Sequence, residues 1–256
     1  DPHEPWVCPK QYADLFPPEK IDLPLWRENE FDETSPDRNR ILNEILSLKN
    51  ESDEDIYGLL ACYYGMVRFV DDALGQILDT LDKLDLTRKT IVVFCSDHGD
   101  LMGEHGMQCK GGVFYDALVR VPLIISYPDH IPNAIRDNSM ANLIDIVPTL
   151  LKLQDIDIPI SMQGKPLPIA TESHPRDVTF SEYGKGGEPF TWKDLHAMSE
   201  PYGRETLMQS LQWREAEGRR KMVRTREWKY IHDPMGDKDE LYDLIADPWE
   251  LTNVID

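Results

Sequence analysis

The feature that most constrains the fold is a short apolar run followed by two potential metal ligands. Residues 91 to 94 read Ile-Val-Val-Phe, and this β-branched run between polar neighbours predicts a strand buried on both faces of a parallel sheet. Functional groups of such sheets gather where the strands end. Asp97 and His98 follow the run, and Gly99 allows a tight turn beneath them. A carboxylate and an imidazole here suit a divalent cation. An ordinary turn is the alternative interpretation.

The periodicity on either side of this run predicts an α/β fold. Residues 55 to 84 carry apolar side chains at helical spacing, and a second apolar strand is predicted near residues 121 to 126. This alternation is typical of an α/β sandwich with a largely parallel sheet. Beyond residue 168 the pattern changes to the strand period, with a hairpin predicted over residues 220 to 232. Residues 7 to 55, rich in proline and charge, are interpreted as an irregular excursion over the surface.

Composition argues against two classes of partner. The 256 residues carry 47 acidic and 27 basic side chains, giving a formal net charge of −20, so the broad basic surface that nucleic-acid binding needs is not expected. No apolar run approaches the ~20 residues that cross a bilayer, so no membrane segment is predicted. Localisation stays open, because a sequence that begins within a longer protein would not show its signal peptide.

Three further features are assigned no chemistry from the sequence. The four cysteines are widely and irregularly spaced, so they predict neither a disulfide framework nor a zinc site. The basic residues between positions 214 and 229 are interpreted as a solvated face among neighbouring acids. Residues 184 to 208, which include Trp192, His196 and Tyr202, are a candidate pocket rim.

The segment that follows the first strand carries a family resemblance. Residues 97 to 125, beginning Asp-His-Gly-Asp-Leu-Met-Gly-Glu-His-Gly, resemble the second signature of the sulfatases in the alkaline phosphatase superfamily. Further matches occur in the family's order at residues 1 to 6, 69 to 75, 145 to 151, 162 to 167 and 240 to 253. The resemblance implies an alkaline phosphatase-like α/β sandwich. Its core would span residues 1 to 168, and a smaller subdomain with an antiparallel sheet would span residues 169 to 256.

The resemblance lacks the family's nucleophile motif. Sulfatases make formylglycine from the Cys or Ser of an early Cys/Ser-x-Pro/Ala-x-Arg motif, and the nearest serine case here, Ser126 to His130, ends in histidine instead of arginine. The cysteines also lack the required Pro and Arg: Cys8, Cys62, Cys95 and Cys109. The family's early Asp-Asp pair of metal ligands is absent as well. The sequence therefore resembles the C-terminal portion of a sulfatase, with formylglycine expected upstream. It is expected to need the N-terminal portion as a partner and to be inactive alone.

The resemblance also implies roles for individual side chains. Asp97 and His98 match the metal ligands from the family's second half, with calcium as the expected ion and manganese or zinc as alternatives. Lys110 matches the lysine that holds a sulfate oxygen near the leaving group. His3 matches the histidine that contacts the sulfate and protonates the departing oxygen. His105 is a candidate substrate contact, with a structural hydrogen bond in its loop as the alternative.

Together these features predict a sulfuric ester hydrolase acting on a small sulfate ester. Hydrolysis of a sulfate monoester moves electron density onto the ester oxygen, so a metal, a lysine and a histidine suit the reaction. Two alternatives stay open. One is a phosphonate or phosphate ester hydrolase of the same superfamily, and the other is a non-catalytic sulfatase-like module that binds a sulfated ligand or a partner chain.

Overall fold

The computed structural model describes residues 3–132, 135–171, 175–184, 188, 191–197 and 219–255. Its helices are α1 (Lys10–Ala13), α2 (Asp37–Leu46), α3 (Asp53–Lys83), α4 (Asp116–Val119), α5 (Ile146–Leu153) and α6 (Trp192–Ala197). Its strands are β1 (Val92–Cys95), β2 (Leu101–Met102), β3 (Gln108–Cys109), β4 (Leu123–Ser126), β5 (Thr179–Tyr183), β6 (Arg220–Arg224), β7 (Trp228–His232) and β8 (Glu240–Asp243). The described part is therefore a mixed α/β structure.

Helix α3 confirms the long helix predicted from the apolar periodicity. Its start is defined by a capping box in which the Ser52 hydroxyl accepts the Asp55 N–H, while the Asp55 carboxylate accepts the Ser52 N–H. Acidic residues fill the first turn and Lys83 lies in the last, which complements the helix dipole. Its apolar face packs against the chain's N-terminal segment, including α1. The helix thereby holds the segment that carries His3.

The direction of the strand paired with β1 differs from the prediction. β1 pairs with β4 in antiparallel register, with Val92 opposite Ser126 and Cys95 opposite Leu123, whereas a largely parallel sheet was expected. An apolar run indicates burial but does not specify the direction of its neighbour. The expectation of burial on both faces is also wrong, because β1 is half-buried and Cys95 is exposed. Within the described residues this pair borders an open concavity, and Ile124 on β4 is 60% exposed.

The proline-rich segment between residues 7 and 55 is more ordered than expected. It contains α2, whose Ile41, Leu42, Ile45 and Leu46 are buried in the largest apolar cluster. The cluster also includes Leu101 in β2 and Met107 just before β3, both from the short hairpin that these strands form. The loop that follows β1 is therefore fixed on a packed core.

A second sheet lies in the C-terminal part, as the resemblance implied. β5, β6, β7 and β8 form a four-stranded antiparallel sheet in that order, and β6 and β7 form the predicted hairpin. Met222, Ile231 and Tyr242 from this sheet join the same apolar cluster as α2. The domain division at residues 168 and 169 stays a prediction. Across the described residues, no helix has both the length and the apolar character that a bilayer span requires.

Candidate active site

The loop after β1 is shaped by close backbone contacts at Gly99. The Gly99 N–H donates to the Leu118 carbonyl at 2.8 Å. A Cβ at this position would lie 2.0 Å from the Ala117 carbonyl oxygen, so only glycine fits. Ahead of it, the Ser96 hydroxyl donates to the His98 carbonyl at 2.7 Å, and the His98 N–H donates to Asp97 Oδ1 at 3.0 Å. These bonds fix the loop that presents Asp97 and His98.

Asp97 and His98 present a carboxylate oxygen and a ring nitrogen to the same region. His98 Nδ1 lies 2.8 Å from the Gly99 carbonyl oxygen, which can only accept, so Nδ1 carries the proton and Nε2 carries the lone pair. Nε2 lies 3.8 Å from Asp97 Oδ2. A backbone carbonyl that holds the second ring nitrogen is typical of metal-ligating histidines. The pair fits two positions around a divalent cation, and the described residues contain no cluster of three or more such ligands.

The charge state of Asp97 suits this role. Burial raises the pKa of the carboxyl. The His98 ring and the hydrogen bonds to backbone N–H groups together lower it by more, so the pKa lies below its usual value of 3.8. The carboxylate is therefore anionic at neutral pH, as suits an oxygen ligand for a divalent cation.

Lys110 follows β3 and lies between two carboxylates. Its Nζ donates to Glu4 Oε2 at 3.0 Å and lies 3.7 Å from Asp100 Oδ1. The lysine side chain is 18% exposed, whereas the Asp100 side chain is 3% exposed. Burial raises the pKa of Glu4, but a backbone hydrogen bond and Lys110 lower it by more, so its pKa lies below the usual value. Lys110 is thus held in place by an ionised carboxylate.

His3 belongs to the loop before α1 and is the fourth predicted site residue at this surface. Its Nδ1 lies 2.8 Å from the Glu4 carbonyl oxygen and 3.5 Å from Glu4 Oε2. The carbonyl oxygen requires a proton on Nδ1, which leaves Nε2 as the nitrogen that can exchange a proton with a ligand.

One concavity collects these side chains. Its volume is about 1770 Å³, and His3, Asp97, His98 and Lys110 all line it. The same surface continues over the apolar residues of β4. The structure therefore brings together the two predicted metal ligands and the two predicted sulfate contacts, which come from three separate segments of the chain.

His105 is the predicted site residue that lies elsewhere. It is buried, its Nδ1 pairs with Glu30, and its ring stacks on Tyr115 with centroids 3.6 Å apart. Its backbone is in the left-handed region with φ 57°, inside the tight turn between β2 and β3. These contacts favour the alternative interpretation of His105, in which its hydrogen bond holds the loop in place.

Two acidic residues of the site, Glu4 and Asp100, were not predicted from the sequence. Glu4 is next to His3 in sequence, and Asp100 lies two positions beyond His98, yet neither was considered. Burial raises the pKa of Asp100, with Lys110 lowering it in part and Glu4 adding to the rise. Their adjacency to the predicted residues was the available signal. Their convergence on Lys110 depends on the fold.

Of the candidate rim, residues 185–187, 189–190 and 198–208 lie outside the described residues, as does the basic segment before Arg219.

Comparison with known proteins identifies the family of this chain. The family model described as Sulfatase matches residues 1–156, which is more than half of the chain. The chain belongs to the sulfatase family. A second family model, described as N-sulphoglucosamine sulphohydrolase, C-terminal, matches residues 103–212.

Several curated relatives resemble this sulfatase-family chain. It is 28% identical to an arylsulfatase of Clostridium perfringens over 99% of the chain and 47% of that protein. It is 34% identical to human arylsulfatase K over 78% of the chain and 34% of that protein. It is 27% identical to a choline-sulfatase of Rhizobium meliloti over 99% of the chain and 44% of that protein. The chain thus spans about a third to a half of the length of these relatives.

Solved structures place the same fold in related hydrolases. The phosphonate monoester hydrolase of Agrobacterium radiobacter superposes with a TM-score of 0.78 at 27% identity, covering 99% of this chain and 50% of that one. The phosphonate monoester hydrolase of Silicibacter pomeroyi gives a TM-score of 0.79 at 25% identity, with the same coverage. These neighbours have the alkaline phosphatase fold, which agrees with the mixed α/β part and the C-terminal antiparallel sheet described above.

Proposed function

We propose that this sulfatase-family chain supplies part of the active site of a sulfuric ester hydrolase that acts on a small sulfate ester. The observation that carries the proposal is the shared concavity lined by Asp97, His98, Lys110 and His3. Two of these side chains are cation ligands by their chemistry, and two can donate hydrogen bonds to an anion. The names of the curated relatives support a sulfate ester as the substrate class.

The proposed roles follow from the charge that develops during ester cleavage. Negative charge grows on the leaving oxygen, so fixed donors near it lower the barrier. Lys110 donates to a sulfate oxygen and exchanges its bond to Glu4 for one to the ligand. His3, with Nδ1–H held by the Glu4 carbonyl, delivers a proton from Nε2 to the leaving oxygen when it is protonated. Asp97 and His98 hold a divalent cation, calcium in this proposal, which polarises the sulfate oxygens when bound.

The nucleophile in this proposal comes from outside the 256 residues. The family's formylglycine requires a Cys/Ser-x-Pro/Ala-x-Arg motif, and the sequence contains none. The chain alone is therefore expected to bind a divalent cation weakly and to leave sulfate esters intact. The N-terminal portion of a sulfatase domain is the proposed partner.

The test is an assay of the protein expressed from its complete reading frame. Intact mass would show whether a cysteine or serine is converted to the aldehyde, and release of 4-nitrophenol from 4-nitrophenyl sulfate would report activity. We expect turnover that is lost on chelation and restored by calcium. Aldehyde-bearing, metal-loaded protein that leaves aryl and alkyl sulfates intact would overturn the proposal.

A phosphonate or phosphate ester hydrolase is the second candidate. Two phosphonate monoester hydrolases superpose on nearly the whole chain, which favours this alternative over unrelated hydrolases. The same assay with 4-nitrophenyl phenylphosphonate separates the two. Faster cleavage of the phosphonate than of the sulfate would reverse the order of the candidates. If the upstream sequence lacks the formylglycine motif, the non-catalytic binding module becomes the better interpretation.

A further inference from the structure

Two cysteines that are distant in sequence lie near each other where the N-terminal loop packs on helix α3. Cys8 belongs to the loop between His3 and α1, and Cys62 belongs to α3. The Cys8 sulfur packs directly on the helix, 2.7 Å from where a Cβ on Gly65 would be. Cys62 lies one turn before Gly65, and residues three apart share a helix face. The glycine therefore leaves room for the Cys8 sulfur next to Cys62.

The two thiols are close enough to affect one another. Burial raises the pKa of the Cys8 thiol, and the charge and hydrogen bonding of Cys62 raise it further. Both side chains are half-buried, so small reagents can reach them. The other two cysteines have different surroundings, because Cys95 is exposed on β1 and Cys109 is buried on β3.

Aromatic contacts hold the N-terminal segment at this position on α3. The rings of Tyr12 and Phe69 meet edge to face with centroids 5.1 Å apart, and the Tyr12 hydroxyl donates to Asp72 at 3.1 Å. Phe16 contacts Tyr64 with centroids 5.5 Å apart. The segment thus packs on the helix beyond Cys8, and this packing holds Cys8 against α3.

We propose that Cys8 and Cys62 are a modification site that forms an intrachain disulfide with a low-molecular-weight disulfide such as glutathione disulfide. One cysteine thiolate attacks a sulfur of glutathione disulfide and displaces the first glutathione thiolate, giving a mixed disulfide. The second cysteine thiolate then attacks the protein sulfur and displaces the second glutathione thiolate. The two thiol protons end on the two glutathiones. The protein loses two electrons, and glutathione disulfide gains them.

The bond would tie the loop that carries His3 and Glu4 to α3. Cys8 is close in sequence to both residues, and the bond closes the chain between the loop and the long helix. This inference does not depend on the proposed sulfatase activity, because it concerns only the two thiols and their position.

The test incubates the protein with mixtures of reduced and oxidised glutathione at pH values from about 7 to about 9. Digestion without reduction, followed by mass spectrometry, identifies the linked peptides. We expect a peptide pair joined through Cys8 and Cys62, and an intact mass lower by two hydrogen atoms. The raised pKa of the Cys8 thiol predicts that the bond forms faster as the pH increases across this range.

Matched variants distinguish a paired site from general thiol reactivity. Cys95→Ser should form the bond as the unmodified protein does, whereas Cys8→Ser and Cys62→Ser should only gain glutathione as a mixed disulfide. Circular dichroism checks that each variant is folded, and Cys8→Ser, which changes a loop residue, keeps the test valid if Cys62→Ser unfolds. Glutathione attached separately to Cys8 and Cys62, or a bond that involves Cys95 instead, would overturn the proposal.

Discussion

Lys110 is the positively charged side chain on which the candidate site is centred. Its Nζ lies 3.0 Å from a Glu4 carboxylate oxygen and 3.7 Å from an Asp100 carboxylate oxygen. The Asp100 side chain is almost fully buried, so solvent screens its attraction to the Lys110 ammonium only weakly. Glu4 is the more exposed of the two carboxylates. An incoming anion would therefore replace Glu4 first while Asp100 keeps the lysine in position.

Replacing Lys110 tests this role. We expect Lys110→Ala to lower kcat/KM for 4-nitrophenyl sulfate by roughly 10²- to 10³-fold, since loss of one preorganised donor to a developing anion costs about this much. Lys10→Ala is the matched control, because Lys10 is exposed and, among the described contacts, its side chain pairs only with Asp14 at the end of the same short helix. Steady-state kinetics of both variants in the complete protein would decide. Equal rates for the two would place Lys110 outside the reaction.

Gly99 has a structural role that can be tested apart from activity. A methyl group there would collide with the Ala117 carbonyl, so Gly99→Ala should lower the free energy of unfolding by about 1–3 kcal/mol. Gly75→Ala is the matched control, because Gly75 is exposed on α3 with nothing within 4 Å, and alanine there should stabilise by up to about 1 kcal/mol. Urea denaturation measures both. A Gly99→Ala variant as stable as the unmodified protein would contradict this account of the loop.

Single residues were predicted unevenly from the sequence. Asp97, His98, Lys110 and His3, chosen for their match to sulfatase motifs, all line one concavity, and their roles stay predictions. His105 stands in the same motif, yet its ring is buried against Tyr115. Spacing does not report which side of a turn a side chain occupies. Cys8 and Cys62 escaped for a similar reason, since their proximity depends on how the N-terminal loop packs on a helix.

The elements around the site are joined by a buried ion-pair cluster at the C-terminal sheet. Lys229 on β7 donates to Asp116 at 2.7 Å and also pairs with Glu250. The interpretation of the basic residues up to position 229 as a solvated face is therefore wrong for Lys229, which is fully buried. Arg224 on β6 forms two bonds to the same Asp116 carboxylate, at 2.8 and 3.1 Å. Asp116 is the first residue of α4, which precedes β4. The cluster therefore couples the antiparallel sheet to the concavity, and it contains polar groups that must stay paired.

The cluster predicts how stability depends on pH. Burial raises the pKa of Asp116, but Lys229 and Arg224 lower it by more, so its folded pKa lies below the usual value of 3.8. A lowered carboxyl pKa stabilises the fold above pH 3.8 and loses this effect as the pH falls through the folded pKa. Asp116→Asn should therefore destabilise the protein most near neutral pH, and its difference from the unmodified protein should shrink in acid.

Denaturant unfolding at a series of pH values provides the measurement. Asp14→Asn is the control, because Asp14 forms an exposed ion pair with Lys10 and is expected to change stability little at any pH. A constant difference between Asp116→Asn and the unmodified protein from neutral to acid pH would show that the carboxylate charge is not what stabilises this cluster.

Elements with a strong local signal were the predictable ones. Helix α3 has a capping box, acidic residues in its first turn and a long apolar stripe, and these act within the helix itself. Helix α2 was missed because prolines and charges surround it, and its apolar side chains are held by contacts with distant parts of the chain. The direction of β1 could not be obtained from its apolar residues, since pairing with β4 depends on the intervening loop.

At the scale of the whole molecule, the site joins segments from three parts of the chain. His3 and Glu4 come from the N-terminal loop, which α3 supports, Asp97 comes from the loop after β1, and Lys110 comes from the loop after β3. The formal net charge of −20 makes a broad positive surface on this molecule unexpected, and Lys110 itself is surrounded by carboxylates. That contrast favours a small anionic ligand over a long polyanion, and it agrees with the proposed substrate class.

The most direct test is a crystal structure of the complete protein grown with calcium and sulfate. The account predicts an anomalous calcium peak about 2.3–2.6 Å from an Asp97 carboxylate oxygen, within coordinating distance of His98 Nε2. It also predicts a sulfate that accepts hydrogen bonds from Lys110 Nζ and His3. In His98→Ala crystals the calcium peak should weaken or vanish. A calcium ion bound elsewhere at saturating concentration, or a sulfate that contacts neither Lys110 nor His3, would contradict the account.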